Sequence, residues 1–293
     1  MSDIHGVCAA VLTPSAERGR PDAAKAIDYY TRLLDRGCQA LNVLGTTGEA
    51  MSLSLAARLG FMEALAGSGL PLSRIMVGTG SAAVGDAVEL TRFAVQAGFA
   101  GALLMPPFYY RPIGESAVLE WYEKVVEAAG ARRPALYLYN FPKMSGYAFS
   151  IETVRRLLTL FPKTCAGLKD SSNDRAYEAD LARSFPELAI FPGSESNLGF
   201  ARANALAGCI SGSVCLWPEL ARLVWEGADE APLVGRRAGL EGLPFIAAVR
   251  YLTALREHDP SWEHGFTPLE ELPAASKALL GNRAEDLSYG SNS

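Results

Sequence analysis

The sequence predicts an α/β fold, a closed (β/α)8 barrel with a helical extension at its C-terminal end. Three observations lead there. Eight short apolar runs recur, each ending in turn or polar residues. Between them lie segments with apolar residues three and four apart and glycine near the stop, the pattern of amphipathic helices. After the eighth run the chain reads as helix alone. Nearly continuous apolar strands alternating with helices indicate a parallel sheet covered on its outer face. Eight such units in about 225 residues suit a closed barrel, usually roughly 250 residues long, with an open doubly wound sheet as the alternative.

In order, the first run is 7-VCAAVLTP-14, followed by the helical pattern 22-DAAKAIDYYTRLLDRG-37. The second is 40-ALNVLGTT-47 and the third 75-IMVGTG-80, with helix 85-GDAVELTRFAVQAG-98 behind it. The remaining runs are 101-GALLMPP-107, 135-ALYLYNFP-142, 165-CAGLKDSS-172, 188-LAIFPGSE-195 and 208-GCISGSVC-215. Residues 216–258 and 268–281 read as wholly helical, so the chain divides into a catalytic barrel over 1–224 and an extension packed on it over 225–293.

Composition narrows the function. At 293 residues and 49% hydrophobic, the chain can bury a sizeable core. A net charge of -5 gives no electrostatic footprint for nucleic acid or an anionic membrane. No apolar run is long enough to span a bilayer, and the first residues lack a charged region followed by a signal-like core, so a cytoplasmic protein is expected. Cys8, Cys38, Cys165, Cys209 and Cys215 are scattered and read as buried small hydrophobes. His5, His258 and His264 form no ligand pattern, so no metal is expected. Gly78-Thr79-Gly80-Ser81-Ala82-Ala83 matches a G-x-G-x-x-A dinucleotide form, but the next strand ends without the acidic residue that would hold a ribose. A tight turn accounts for those glycines, and no cofactor is expected.

Chemistry then falls to lysine, tyrosine, hydroxyls or carboxylates. The chain has six lysines, and one of them, Lys169, stands within an apolar run. Strand alternation places Cys165, Gly167 and Lys169 on one face and Ala166 and Leu168 on the other, so the lysine points into the barrel above two small residues. An amine enclosed in low dielectric is more readily held neutral and can attack a carbonyl to form a Schiff base; the bland alternative is a lysine paired with a buried carboxylate or reaching solvent. In the fifth run Tyr137 and Tyr139 share a face, with Tyr139 nearest the C-terminal rim where barrel enzymes place their sites. Its hydroxyl could relay protons or simply be a satisfied core group. The turn 45-GTTGE-49 offers hydroxyls and backbone N–H groups to a small anion.

Together, 45-GTTGEA-50, 107-PFYYRP-112, 139-YNFP-142 with Ser145-Gly146, and 167-GLKDSS-172 resemble the dihydrodipicolinate synthase / N-acetylneuraminate lyase family. These are Schiff-base, pyruvate-dependent aldolases on a TIM barrel with a helical C-terminal extension, and the resemblance runs from about Val7 to Cys215. It implies Lys169 as the imine lysine, Tyr139 as the proton shuttle, and Thr46 as the link from Tyr139 to a second tyrosine, Tyr109, donated across a subunit interface. It further implies Thr47 and Gly48 at the substrate carboxylate, and Ile210 and Gly193 lining the pocket around the pyruvyl group. A homotetramer, as a dimer of dimers, follows from the donated tyrosine.

Departures bear on the substrate. Synthase members carry an arginine where this chain has Met144, and sialic-acid lyases an acidic pair where it has Glu195-Ser196. Asp170 after the lysine looks more like members acting on 2-keto-3-deoxy sugar acids or 4-hydroxy-2-oxo acids, while Met105, Phe108, Tyr110 and Met144 would give an apolar wall that also admits an aromatic aldehyde. Reversible aldol cleavage releasing pyruvate is therefore expected. The alternatives are dehydration through the same imine, 4-hydroxy-tetrahydrodipicolinate synthesis, and a non-catalytic binder of 2-oxo acids.

Overall fold

The computed structural model describes residues 4–16, 19–130 and 135–281. The predicted extension therefore ends, in part, outside the described residues. Eight parallel strands form a nearly closed barrel: β1 (Gly6–Ala10), β2 (Ala40–Val43), β3 (Ile75–Gly78), β4 (Gly101–Leu104), β5 (Leu136–Asn140), β6 (Cys165–Asp170), β7 (Ala189–Pro192) and β8 (Gly208–Ser211). From β1 to β7 each strand pairs with the next, and β8 returns to β1 with Cys8 opposite Ile210. The seam between β7 and β8 is crossed by the bond from Ala207 N to Ile190 O, 2.9 Å. All eight runs read as strands in the sequence are strands in the fold.

The covering helices start where side chains can satisfy their orphan N–H groups. α1 (Ala23–Asp35) is capped by Asp22, α2 (Leu55–Ala66) by Ser54, α5 (Ile151–Leu160) by Ser150 and α6 (Arg175–Ser184) by Asp174, each accepting from the third residue on. α3 (Val84–Ala97) and α4 (Glu115–Ala128) begin without a side-chain cap, and each carries an acidic residue in its first turn. The apolar side chains divide as a barrel requires. One set, including Val7, Ala9, Leu41 and Val43, packs outward against the helices. The alternate set, Cys8, Ala10, Ala40, Met76, Leu103, Tyr137, Phe191 and Ile210, fills the interior.

In β6 the alternation differs from the sequence reading. The β5–β6 register shifts between Leu136 and Tyr137: Leu136 stands opposite Cys165, but Tyr137 stands opposite Gly167. The extra residue turns Cys165 outward beside Leu136 and Leu168, while Ala166 packs with the interior cluster. From Gly167 onward the pairing is regular again, Tyr139 facing Lys169 and Asn140 facing Asp170.

After β8 come α7 (Pro218–Glu226), α8 (Ala231–Ala238), α9 (Phe245–Glu257) and α10 (Ala274–Gly281). Trp262, between α9 and α10, is fully buried against Tyr29 of α1, ring centroids 4.6 Å apart, and pins the extension to the barrel. Residues 268–273 are not helical, contrary to the continuous pattern read from the sequence, and α10 begins only after Pro273. A proline holds its predecessor out of the helical region and lacks an N–H, so it suits a helix start and not an interior. All five cysteines are free and buried. Among the described residues no helix is long and apolar enough to cross a membrane.

Candidate active site

Lys169 sits near the C-terminal end of β6 with only 5% of its surface exposed. Its Nζ lies 4.5 Å from the centroid of the Tyr139 ring, on the neighbouring strand. Among the described residues no carboxylate pairs with it. An enclosed amine with no carboxylate bound to it is free to meet a carbonyl carbon, which is the arrangement a nucleophilic lysine needs. Cys8, beneath it on β1, has its thiol pushed up to about 12 by burial, with the lysine's charge acting the other way.

Tyr139 is equally enclosed, 5% exposed, and its hydroxyl is 3.4 Å from Thr46 Oγ1. Thr46 lies in the turn after β2. Thr47 beside it is buried, and a Cβ added to Gly212 would fall 2.7 Å from its hydroxyl oxygen, so the turn packs tightly on the end of β8. The Gly48 carbonyl accepts from Thr13 Oγ1 at 2.8 Å, and a Cβ on Gly48 would come within 3.0 Å of Thr13 Oγ1 and 3.1 Å of Val11 O. Only glycine fits. Ile210 is fully buried on the interior of β8. Gly193, just past β7, lies against β6: a Cβ would stand 2.4 Å from Ser171 Oγ and 2.8 Å from Asp170 O.

Tyr109 is the residue the single chain does not bring in. It is 72% exposed, stacked edge-on against Tyr110 at 5.1 Å, with no bond to Thr46 or Tyr139. Asp170 is not a pocket residue either. It faces the helix layer, where Asn140 Nδ2 donates to its Oδ1 at 2.6 Å and Ser172 Oγ to its Oδ2 at 2.7 Å. Because Asn140 and Asp170 follow Tyr139 and Lys169 on paired strands, their bond ties the two site strands together. Burial raises the Asp170 carboxyl, and burial followed by the nearby Asp170 charge pushes Glu178 of α6 up to about 8.

The sequence reading also missed Arg250. It is the lone charge in the apolar stretch 245-FIAAVRYLTAL-255, a placement that signals a buried partner. The partner is Glu49, 201 residues away, in the turn that carries Thr46 and Thr47. Arg250 pairs with Glu49 Oε1 and donates to Thr13 O at 2.8 Å and Trp262 O at 3.2 Å, while Phe266 N donates to Glu49 Oε2 at 2.7 Å. Both side chains are almost wholly buried. The extension thus grips the back of the candidate anion-binding turn.

In front of Tyr139 opens a cavity of about 380 Å³, bounded by Gly45, Thr46 and Tyr139 at its base and reached by Ile246 and Leu269 of the extension. This is ample for a small organic acid with a further substituent.

The chain is similar to known proteins along most of its length. Residues 3–233 match the Dihydrodipicolinate synthetase family. An uncharacterized DapA-like lyase of Chloroflexus aurantiacus is 31% identical over 284 residues, covering 95% of this chain and 91% of that protein. A 2-dehydro-3-deoxy-phosphogluconate/2-dehydro-3-deoxy-6-phosphogalactonate aldolase of Sulfurisphaera tokodaii is 26% identical over 216 residues, 74% of this chain and 71% of that one. The crystal structure of dihydrodipicolinate synthase from Agrobacterium tumefaciens superposes with a TM-score of 0.91 at 27% identity, covering 97% of this chain and 99% of that one.

Proposed function

Because the chain belongs to the dihydrodipicolinate synthetase family, whose matched members are lyases, synthases and aldolases, we propose that it is a Schiff-base-forming lyase that reversibly cleaves a 4-hydroxy-2-oxo acid, such as a 2-keto-3-deoxy sugar acid, to pyruvate and an aldehyde. The observation that carries this reading is the enclosed Lys169 amine, 4.5 Å from the Tyr139 ring and, among the described residues, without a carboxylate partner.

Lys169 Nζ attacks the C2 carbonyl and expels water, giving an iminium. Thr47 and the backbone of Gly48 hold the substrate carboxylate, and Ile210 and Gly193 bound the pyruvyl end. Tyr139, steadied by Thr46, gives its hydroxyl proton to the carbinolamine oxygen that leaves as water, and the phenolate so formed takes the proton from the C4 hydroxyl as the C3–C4 bond breaks. The electron pair of that bond enters the iminium to form an enamine and the aldehyde leaves. Protonation at C3 and hydrolysis release pyruvate and restore the lysine. Fixing both ends of the substrate makes the cleavage effectively intramolecular. The exposure of Tyr109 in one chain supports a homotetramer, built as a dimer of dimers, in which this ring completes the Thr46–Tyr139 relay of another subunit.

Borohydride reduction in the presence of pyruvate tests the reading. The expected result is a stable mass adduct on Lys169, absent in Lys169→Ala. A folded protein saturated with pyruvate that yields no adduct would reject the imine mechanism.

A further inference from the structure

The walls of the cavity in front of Tyr139 come from four places in the chain. Met51 follows the GTTGE turn, Met105 and Phe108 follow β4, Met144 follows β5, and Ile246 and Leu269 come from the extension. We infer that the part of the substrate that leaves as aldehyde carries an aromatic ring, so that the substrate is a 4-hydroxy-2-oxo acid with an aryl group on C4. The inference rests on the imine reading above and concerns the cavity in front of Tyr139, which Thr46 and Tyr139 line while Lys169 stands behind the Tyr139 ring.

Three features select this class over a polyol, a phosphate ester or a second carboxylate. The first is the absence, among the described residues lining the cavity, of any lysine, arginine or histidine. An anionic substituent placed there gains no counter-charge from the wall. The second is the shortage of hydrogen-bond partners. Within one chain, beyond Thr46 and Tyr139, which the reaction uses, the polar side chains of the lining are Ser52 and Glu49. Glu49 is committed to Arg250 and Phe266 N. Glu195, the acidic residue after β7 that could reach substrate hydroxyls, is 1% exposed, accepts from Ser211 Oγ and does not line the cavity. A chain of hydroxyls would find few side-chain partners here and would keep to water at the rim, where Met51, Met144 and Leu269 are exposed. The third is the kind of apolar surface. Three thioethers and the Phe108 ring form an adaptable wall, and sulfur at a ring edge and ring on ring are favourable contacts for an aromatic group.

The chemistry is unchanged by the substituent. Cleavage of the C3–C4 bond sends its electron pair to the iminium and the C4 hydroxyl proton to Tyr139, and releases an aromatic aldehyde. The enamine regains a proton at C3, and one water returns pyruvate.

The test compares kcat/KM for 4-hydroxy-2-oxo-4-phenylbutanoate and 2-keto-3-deoxygluconate on the full chain, with borohydride trapping of pyruvate run alongside. The aryl substrate is expected to be favoured roughly 10- to 100-fold, the factor that follows from moving one ring from water into an apolar site. Met144→Arg, which sets a cation in the wall, is expected to lower that ratio. Trapping that succeeds with the polyol cleaved as well or better overturns the inference and leaves the imine reading standing, and so does a ratio that Met144→Arg leaves unmoved. Failure of trapping itself marks failure of the imine reading, and the inference falls with it.

Discussion

Removing the guanidinium of Arg250 should unfold the protein far more readily than a typical single substitution. In Arg250→Met the buried Glu49 carboxylate keeps only the Phe266 N–H, and two carbonyls, Thr13 O and Trp262 O, lose a donor. A buried ion pair broken from one side costs about 3–5 kcal/mol, because the charge left behind has neither water nor partner. Glu49→Gln leaves the complementary problem, a buried cation whose carboxylate is gone, and should cost a similar amount. In the double variant neither charge remains, so its loss should fall short of the sum of the singles by at least ~2 kcal/mol. Urea unfolding followed by circular dichroism, carried out on all four proteins, gives the cycle. Losses that add to within about 0.5 kcal/mol would mean that the two groups do not act on each other and that the turn does not depend on their pairing.

Two further outcomes are expected. Tyr139→Phe should still trap pyruvate on Lys169 yet turn over about 10²–10⁴-fold more slowly, as for a lost acid–base group; a near-normal rate would remove Tyr139 from the proton path. Stability should decline with pH through Glu178. Between the ordinary carboxyl value of 4.5 and its folded value of about 8, the native state holds a proton that the unfolded chain has released, so stability falls as pH rises, by ~1.4 kcal/mol per unit, and levels off above 8. Asp170 and Asp174 reinforce that proton and Arg175 opposes it. Glu178→Gln, compared with the parent protein by urea unfolding at pH 6 and pH 9, should flatten this slope, and an unchanged slope would assign it to other groups.

The architecture was readable from the sequence because buried parallel strands and their covering helices write two different periods into the chain, as in 101-GALLMPP-107 against 85-GDAVELTRFAVQAG-98. Lys169 was readable for a related reason: a charge in an apolar run stands out. The orientation of Cys165 was not, since the register shift beside Leu136 is set by pairing with β5 and leaves no mark in β6 itself. Nor was the role of Asp170, whose partners Asn140 and Glu178 come from different elements. The Glu49–Arg250 pair joins two segments that carry no reciprocal pattern, so only the folded chain reveals it. Pro273 was visible as a helix breaker, but the apolar spacing of 268-PLEELPAASKALLG-281 outweighed it in the reading.

The pairing of Glu49 with Arg250 and Phe266 has a temporal side. During synthesis every barrel strand has been made once Ser211 is added, yet the acidic group behind Thr46 and Thr47 still has no guanidinium to meet. A ribosome must deliver dozens more residues before that anion can be neutralised. Shortening the polypeptide before Arg250 would leave Glu49 without that partner.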